Sequence, residues 1–213
     1  AYQAAEAILA EKNTLEDFNA ETYILPNNYQ SVENITALER GMSSNYTQAA
    51  VLSEALASLY KEGDLRLDAY FKAADKNCYR FSQKSGKDDF RCSFRVGEMY
   101  LNSAEAAAQS DKLPQARTRL LELMQKRYTP EAYAAKVTAV NAMNKETLIQ
   151  EILNERTREL AFEGHRWFDL RRTTRPRIEK VLKGGTYVLE QDDQRYTIQI
   201  PREAIAANPE LSN

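Results

Sequence analysis

The sequence is poor in the residues that break or staple a chain. It has 7 glycines and 6 prolines in 213 residues, so long regular segments can run between breaks. Cysteine occurs twice, at Cys78 and Cys92, in no C-x-x-C spacing and with no histidine nearby; metal binding is not expected from that pattern. The pair leaves open a disulfide or two free or buried thiols. No stretch approaches the roughly 20 apolar residues that a membrane-spanning helix needs. Charge of one sign is not in excess, the formal net charge being -2. A nucleic-acid or anionic-membrane partner would therefore need a local basic cluster, and the only candidate lies near residues 166–177.

What is abundant points to helix. Hydrophobic residues make up 43% and charged ones 28%, with Ala, Leu, Glu and Gln prominent. Residues 1–12 carry Ala5, Ile8 and Leu9 on one stripe, as a helix already under way, and the chain is therefore expected to be a piece of a longer protein. Residues 13–47 are irregular and hold Pro26, Gly41 and scattered tyrosines. A helix is expected over 47–62, with Gly63 as its C-cap, then two short strands at 65–73 and 77–83. Phe94, Gly97, Leu101, Ala104 and Ala108 fall on one helical face whose small side chains admit a close neighbour. Pro114 suits the first turn of the next helix, 114–127. The two helices make a hairpin of tetratricopeptide-like spacing, although any helical hairpin needs such stripes. Helices follow at 131–142 and 145–162, the latter ending near Gly164. TYVLE and RYTIQI, flanking QDDQ, suggest a β-hairpin, and the tail from Pro201 reads as turn-like.

The densest chemistry lies in ERTRELAFEGHRWFDLRR, residues 155–172, which holds the only histidine and the only tryptophan. Leu148, Ile152, Arg156 and Leu160 follow one another at i+4, so a guanidinium stands in line with an apolar stripe. A buried guanidinium must be paired. Glu151, Glu155, Glu159 and Glu163 form a second i+4 ladder that needs cationic partners, and Arg158, Arg166, Arg171 and Arg172 are near enough in sequence to supply some. Carboxylates interleaved with arginines stay ionised, which disfavours a general acid and base. Glu163 and His165 stand two apart, the wrong spacing for a helical metal pair. The arginines from 166 to 177 match no nucleic-acid-binding motif. The spacing supports scaffold, with Trp167, Phe168 and Leu170 plugging a core and the charges of Arg156, Glu159, Glu163, Arg166, Asp169 and Arg171 holding the plug in register.

The stretch LNERTRELAFEGHRWFDLRR closely resembles the C-terminal signature of the SusD/RagB family of outer-membrane nutrient-binding lipoproteins. EGDLRLDAYF, FRVGEMYLNSAEAAAQSDKLPQA and IPREAIAANPEL resemble further parts of that family in the same order. The resemblance implies a mainly α fold of tetratricopeptide-like helix pairs with small β-hairpins. It implies no catalysis, metal or cofactor, but capture of oligosaccharides, or in some members peptides, at the cell surface. The implied partner is a SusC-like TonB-dependent outer-membrane transporter. Members are about twice as long and begin with a signal peptide and a lipidated cysteine. Residues 1–213 are accordingly expected to be one domain, the C-terminal portion of such a protein. Sugars lie flat on exposed aromatic rings while amides complete the hydrogen bonds, so the ligand candidates are Tyr23, Tyr29 and Tyr46 with Asn27, Asn28 and Asn45. The same tyrosines could instead cover helix ends. Tyr70, Tyr79, Tyr187 and Tyr196, on expected strands, read as packing. The alternative function is a helical-repeat module that binds a protein or peptide without glycan.

Overall fold

The structure is a computed structural model and describes residues 1–26, 28–37, 50–84, 93–182, 184–208 and 210–211. The fold is mainly α and divides into two compact units, Ala1–Glu163 and Gly164–Asn213.

The first unit is organised around α4 (Val96–Gln109), which packs against α1 (Tyr2–Glu11), α5 (Leu113–Gln125) and α7 (Lys145–Glu159). The reason lies in its small side chains. Ala104, Ala107 and Ala108 are fully buried, which lets neighbouring helices approach closely. Leu9, Leu101, Ala116, Leu120, Leu123, Met124, Leu148 and Ile152 complete this core, and Val140 joins it from α6 (Pro130–Ala142). Helix starts are marked as the side chains dictate. Pro114 sits in the first turn of α5, the Thr129 hydroxyl accepts from the Ala132 N–H ahead of Pro130, and the Asn144 side chain accepts from the Thr147 N–H at 2.9 Å. A second apolar cluster gathers Phe18, Tyr60, Ala69, Tyr70, Phe71 and Ala161.

Several segments depart from the expected elements. Residues 65–73 are not a strand but hold a short helix, α3 (Arg66–Tyr70). Asp64 accepts the Arg66 backbone N–H at 3.1 Å, which starts a helical turn and brings Arg66, Ala69 and Tyr70 to the inside together. Residues 77–83 contribute only isolated bridges, Val51 to Phe81 and Phe71 to Ser82. Because the chain at 50–52 runs extended beside 80–82, the helix expected from residue 47 shrinks, among described residues, to α2 (Glu54–Ala57), capped by Ser53. Phe94 belongs not to α4 but to β2 (Ser93–Arg95), which pairs antiparallel with β1 (Asn34–Ala37) and leaves Phe94 64% exposed. Arg95 must be extended to turn its guanidinium inward, so the helix begins only after it.

In the second unit α8 (His165–Arg172) is followed by an antiparallel hairpin of β3 (Ile178–Leu182) and β4 (Gly185–Leu189), turning at Gly184 with φ 77°. Thus RYTIQI is not the second strand. Gln194–Tyr196 is instead a single 3₁₀ turn, begun by the Asp193 side chain accepting the Arg195 N–H, and it buries Tyr196 completely. The tail is helical rather than turn-like over α9 (Arg202–Ala207), where alanines follow Pro201.

Candidate functional site

The most concentrated chemistry is an ionic core inside the first unit, built on the inward face of α7. Glu159 is fully buried and collects three arginines from distant parts of the chain. Arg127 donates through Nε at 3.0 Å to one carboxylate oxygen and through Nη2 at 3.0 Å to the other. Arg95 Nη1 donates at 2.7 Å and Arg66 Nη1 at 3.1 Å. Each arginine then reaches a further acid. Arg95 and Arg127 both donate to Glu33, Arg66 makes a two-pronged pair with Asp64 at 2.9 and 2.8 Å, and Arg66 Nη1 lies 2.6 Å from Glu155. Arg158 closes on Glu155 and Glu151, and Lys84 on Glu163. Among the described residues, Arg66, Lys84, Arg95, Arg127 and Arg158 thus stand against Glu33, Asp64, Glu151, Glu155, Glu159 and Glu163.

Rings and one glycine complete the enclosure. Lys84 Nζ lies 3.9 Å from the Tyr70 ring centre, Arg127 4.5 Å above Phe18 and Arg66 5.0 Å above Tyr128. A Cβ at Gly97 would stand 2.5 Å from Arg95 Nη1 and 3.1 Å from carboxylate oxygens of both Glu159 and Glu33. The first turn of α4 therefore needs glycine there. The core also ends α7 earlier than residue 162. The Glu159 carbonyl accepts from Arg95 Nη2 at 2.8 Å and from Lys84 Nζ at 2.7 Å, and the Ala161 carbonyl accepts from Lys84 at 3.2 Å. Cations satisfy the orphan carbonyls, and the chain turns out through Phe162 and Gly164, both at positive φ.

Burial alone would keep these carboxyls protonated, but their partners outweigh it. Arg66 and Arg158 hold Glu155 down to about 2 against its burial, and Arg95 and Lys84 do the same to Glu163. Glu159, opposed by burial but surrounded by Arg127, Arg95 and Arg66, lies well below the ordinary carboxylate range. Burial pulls Lys84 down to about 8 despite Glu163 beside it. Carboxylates held ionised and saturated with donors are fitted to tie segments together, not to deliver protons. Among the described residues no group of three or more His, Cys, Asp or Glu is placed to hold a metal ion.

The sequence-derived candidates divide between the two units. In the first, Glu159 and Glu163 belong to the ionic core. Arg156 is buried to 5% exposure and donates to the Asn102 side chain at 2.7 Å, with Glu105 at 3.8 Å. Arg166, Trp167, Asp169 and Arg171 lie on α8 in the second unit. The expected apolar plug is not formed there. Trp167 is 36% exposed and Phe168 62%, while Asp169 is the buried residue of α8 and is held by Arg172 at 2.7 Å. An eight-residue helix with charge on half of its positions buries one narrow face, and that face presents the carboxylate. Trp167 instead stacks on buried Tyr196, ring centres 5.0 Å apart and planes 16° apart.

The candidate ligand segment is itself shaped by a buried acid. Glu16 accepts from the Ser31 hydroxyl at 2.8 Å and from the backbone N–H of Val32 and Ile24, while Glu33 accepts the Glu16 N–H and enters the ionic core. This brings Ile24 and residues 31–33 back to Glu16 and leaves Tyr23 39% and Tyr29 56% exposed. Tyr23 rests on Phe18, 4.6 Å between ring centres. Asn28 uses its side-chain oxygen locally, accepting the Gln30 N–H, and its carbonyl accepts from Asn34. Asn27, Asn45 and Tyr46 lie outside the described residues, as does Cys92; Cys78 is an exposed free thiol. Of the tyrosines read as packing, Tyr70 and Tyr196 are fully buried, whereas Tyr79 and Tyr187 are 53% and 62% exposed.

Sequence reasoning found the glutamate ladder but not its main partners. Arg66, Lys84, Arg95, Arg127 and Glu33 are remote in sequence, Arg127 standing 32 positions and Arg66 93 positions from Glu159. The usable signals were local: Asp64 two residues before Arg66, and Gly97 two residues after Arg95.

The SusD family model matches residues 70–213, and the chain belongs to that family. No curated protein matches it in sequence. Solved structures with the same fold include a SusD superfamily protein from Bacteroides thetaiotaomicron VPI-5482, with a TM-score of 0.74 at 20% identity. Another is a SusD-like carbohydrate binding protein from Bacteroides vulgatus ATCC 8482, at 0.65 and 18%, and a third a SusD superfamily protein from Bacteroides fragilis, at 0.60 and 19%. Each comparison covers 99% of this chain but 55%, 54% and 63%, respectively, of the other. The chain thus spans little more than half the length of the structures it matches.

Two predictions follow from the ionic core. Glu159→Gln keeps the shape but leaves three guanidiniums short of a charge, and should cost about 3–5 kcal/mol in urea unfolding; exposed Glu146→Gln, on the first turn of the same helix, should stay within about 0.5 kcal/mol. The pH dependence has a fixed sign, because Glu155 and Glu163 ionise more readily folded than unfolded. Their stabilisation is complete above the unfolded value near 4.5 and is lost as pH falls toward about 2. Urea midpoints should therefore be level near neutrality and fall steeply between about pH 5 and pH 2; a midpoint unchanged to pH 3 would contradict the assignment.

Proposed function

We propose that this chain is the C-terminal portion of a non-catalytic glycan-binding protein of the bacterial outer-membrane surface. It captures oligosaccharide for import through a SusC-like TonB-dependent transporter, by contact and release without bond cleavage. Family membership over residues 70–213 carries the reading, and a relative of the same fold is described as a SusD-like carbohydrate binding protein. The chemistry of the first unit agrees with it. Among the described residues the acids of its ionic core are paired with arginines and Lys84, and through Glu33 that core braces a surface segment. On this reading attachment to the membrane is by a lipid anchor; among the described residues no helix is long and apolar enough to cross a bilayer.

The ligand face in this proposal is the segment carrying Tyr23 and Tyr29, with Asn27, Asn28 and Tyr46 adjoining in sequence. Exposed phenol rings offer flat apolar surface to the C–H faces of sugars, and the buried Glu16 carboxylate fixes the backbone beneath them. A preorganised platform loses less entropy on binding than a mobile one. Helix hairpins such as α4 with α5 fit a tetratricopeptide-like scaffold for this face.

The test is a glycan array followed by calorimetry on the chain and on its Tyr23→Ala/Tyr29→Ala double variant. Binding of at least one oligosaccharide, weakened about tenfold or more in a variant that keeps the parent's circular dichroism spectrum and a cooperative melt, is expected. Chromatography of the incubated sugar should recover it intact. Shortened sugar products would overturn the non-catalytic reading, and undiminished binding by the variant would move the site elsewhere.

A further inference from the structure

The second unit contains a hollow of about 470 Å³ between α8 and the β3–β4 hairpin. Two aromatic residues and three cations line it: Trp167 and Tyr187 with Arg166, Lys180 and Arg195. Leu170 and the aliphatic residues of the hairpin supply the remaining wall, and no carboxylate residue is among the lining. The strand register explains the grouping. Lys180 pairs directly with Tyr187 across the hairpin, so the ammonium and the phenol rise from the same face. On α8, Arg166 and Leu170 stand four residues apart on one side of the helix.

The aromatic wall is braced. Trp167 stacks on Tyr196, which is fully buried and donates its hydroxyl to the Pro176 carbonyl. One face of the indole is thereby backed by a ring that cannot move away. The charge is only partly neutralised from within. Arg195 is clamped by Asp193, at 2.9 and 2.7 Å, and donates to the Val188 carbonyl. Lys180 makes no ion pair among the described residues, and Glu179 beside it on β3 is engaged by Arg177. Alternation along β3 sends Glu179 to the opposite side from Lys180.

We propose that this hollow is a second carbohydrate contact, selective for sugars that carry a carboxylate, such as uronic acid residues. The inference rests on the glycan-binding reading and extends it to an acidic class of ligand. The volume is that of a small-ligand site. The Trp167 and Tyr187 rings would take the apolar face of a pyranose, while Lys180 and Arg166 meet the carboxylate. A neutral sugar would find the rings but leave the Lys180 ammonium without a counter-charge, and a bare anion would find Lys180 but leave the rings wet.

Trp167 is the only tryptophan in the chain and lines this hollow, so its fluorescence reports on it. The chain would be titrated with a trigalacturonate and with a neutral trisaccharide, cellotriose, following tryptophan fluorescence and heat in parallel. Trigalacturonate should change the emission saturably, and the change should weaken several-fold between low and physiological salt. Lys180→Glu, at an exposed strand position, should weaken it about tenfold or more. Tyr187→Ala, at a residue already 62% exposed, should do likewise without lowering the thermal midpoint. Heat of binding with silent tryptophan fluorescence would overturn the hollow as a site while leaving the glycan-binding reading intact. Equal response to cellotriose would overturn the selectivity for acid. No response to either sugar, while the array finds another ligand for the chain, would overturn the inference alone; no sugar bound at all would remove both.

Discussion

The first unit depends on one buried carboxylate. Glu159 sits where α7 ends and is shared by Arg66, Arg95 and Arg127, which arrive from three separate segments. Burying these ions costs several kcal/mol for each, and only mutual pairing with further hydrogen bonds offsets that cost. The structure meets the condition by giving every arginine a second acid and by placing aromatic rings against the guanidiniums. An arrangement this demanding has few alternatives: Gly97 must lack a side chain, Arg95 must be extended, and Asp64 must begin a turn. Apolar packing among α1, α4, α5 and α7 supplies the bulk of the burial, and the charges choose which segments meet.

That division explains what could be read from the sequence. Stripes of apolar residues with period 3.6 located α4, α5 and α7 closely, because packing decides those elements, whereas α6 was legible from its alanine content. The glutamate ladder of α7 and the in-line Arg156 were visible for the same reason, and so was the need for counter-charges. The identity of the partners was not visible, since no period links residues 33, 66, 84, 95 and 127 to residue 159. Arg66 also turned an expected strand into a helix: the LRLDAYF pattern alternates well enough for either, and the buried Asp64–Arg66 pair decides it.

Trp167 is the converse case. Its size and its charged neighbours suggested a plug, yet its unit is small and its helix narrow, and the indole is backed on one face by Tyr196 and left partly open. The same sequence stretch therefore serves two purposes. Its first half, through Glu163, ties down the fold of the first unit, and its second half furnishes an aromatic wall on the other. The proposed ligand face is a surface that the buried charges hold still. The segment carrying Tyr23 and Tyr29 is fastened through Glu16 and Glu33 to the ionic core, so scaffold and candidate site are mechanically one.

The central claim is that Glu159 and its arginines act as a single interdependent unit. A double-mutant cycle on Glu159→Gln and Arg127→Met, read by urea unfolding, tests it most directly. If the claim holds, the double variant is less destabilised than the sum of the two single variants by about 2–3 kcal/mol, because each single change leaves the other charge buried and unmatched. Losses that simply add would mean that the two groups stabilise the fold independently, and the account of a shared ionic core would be wrong.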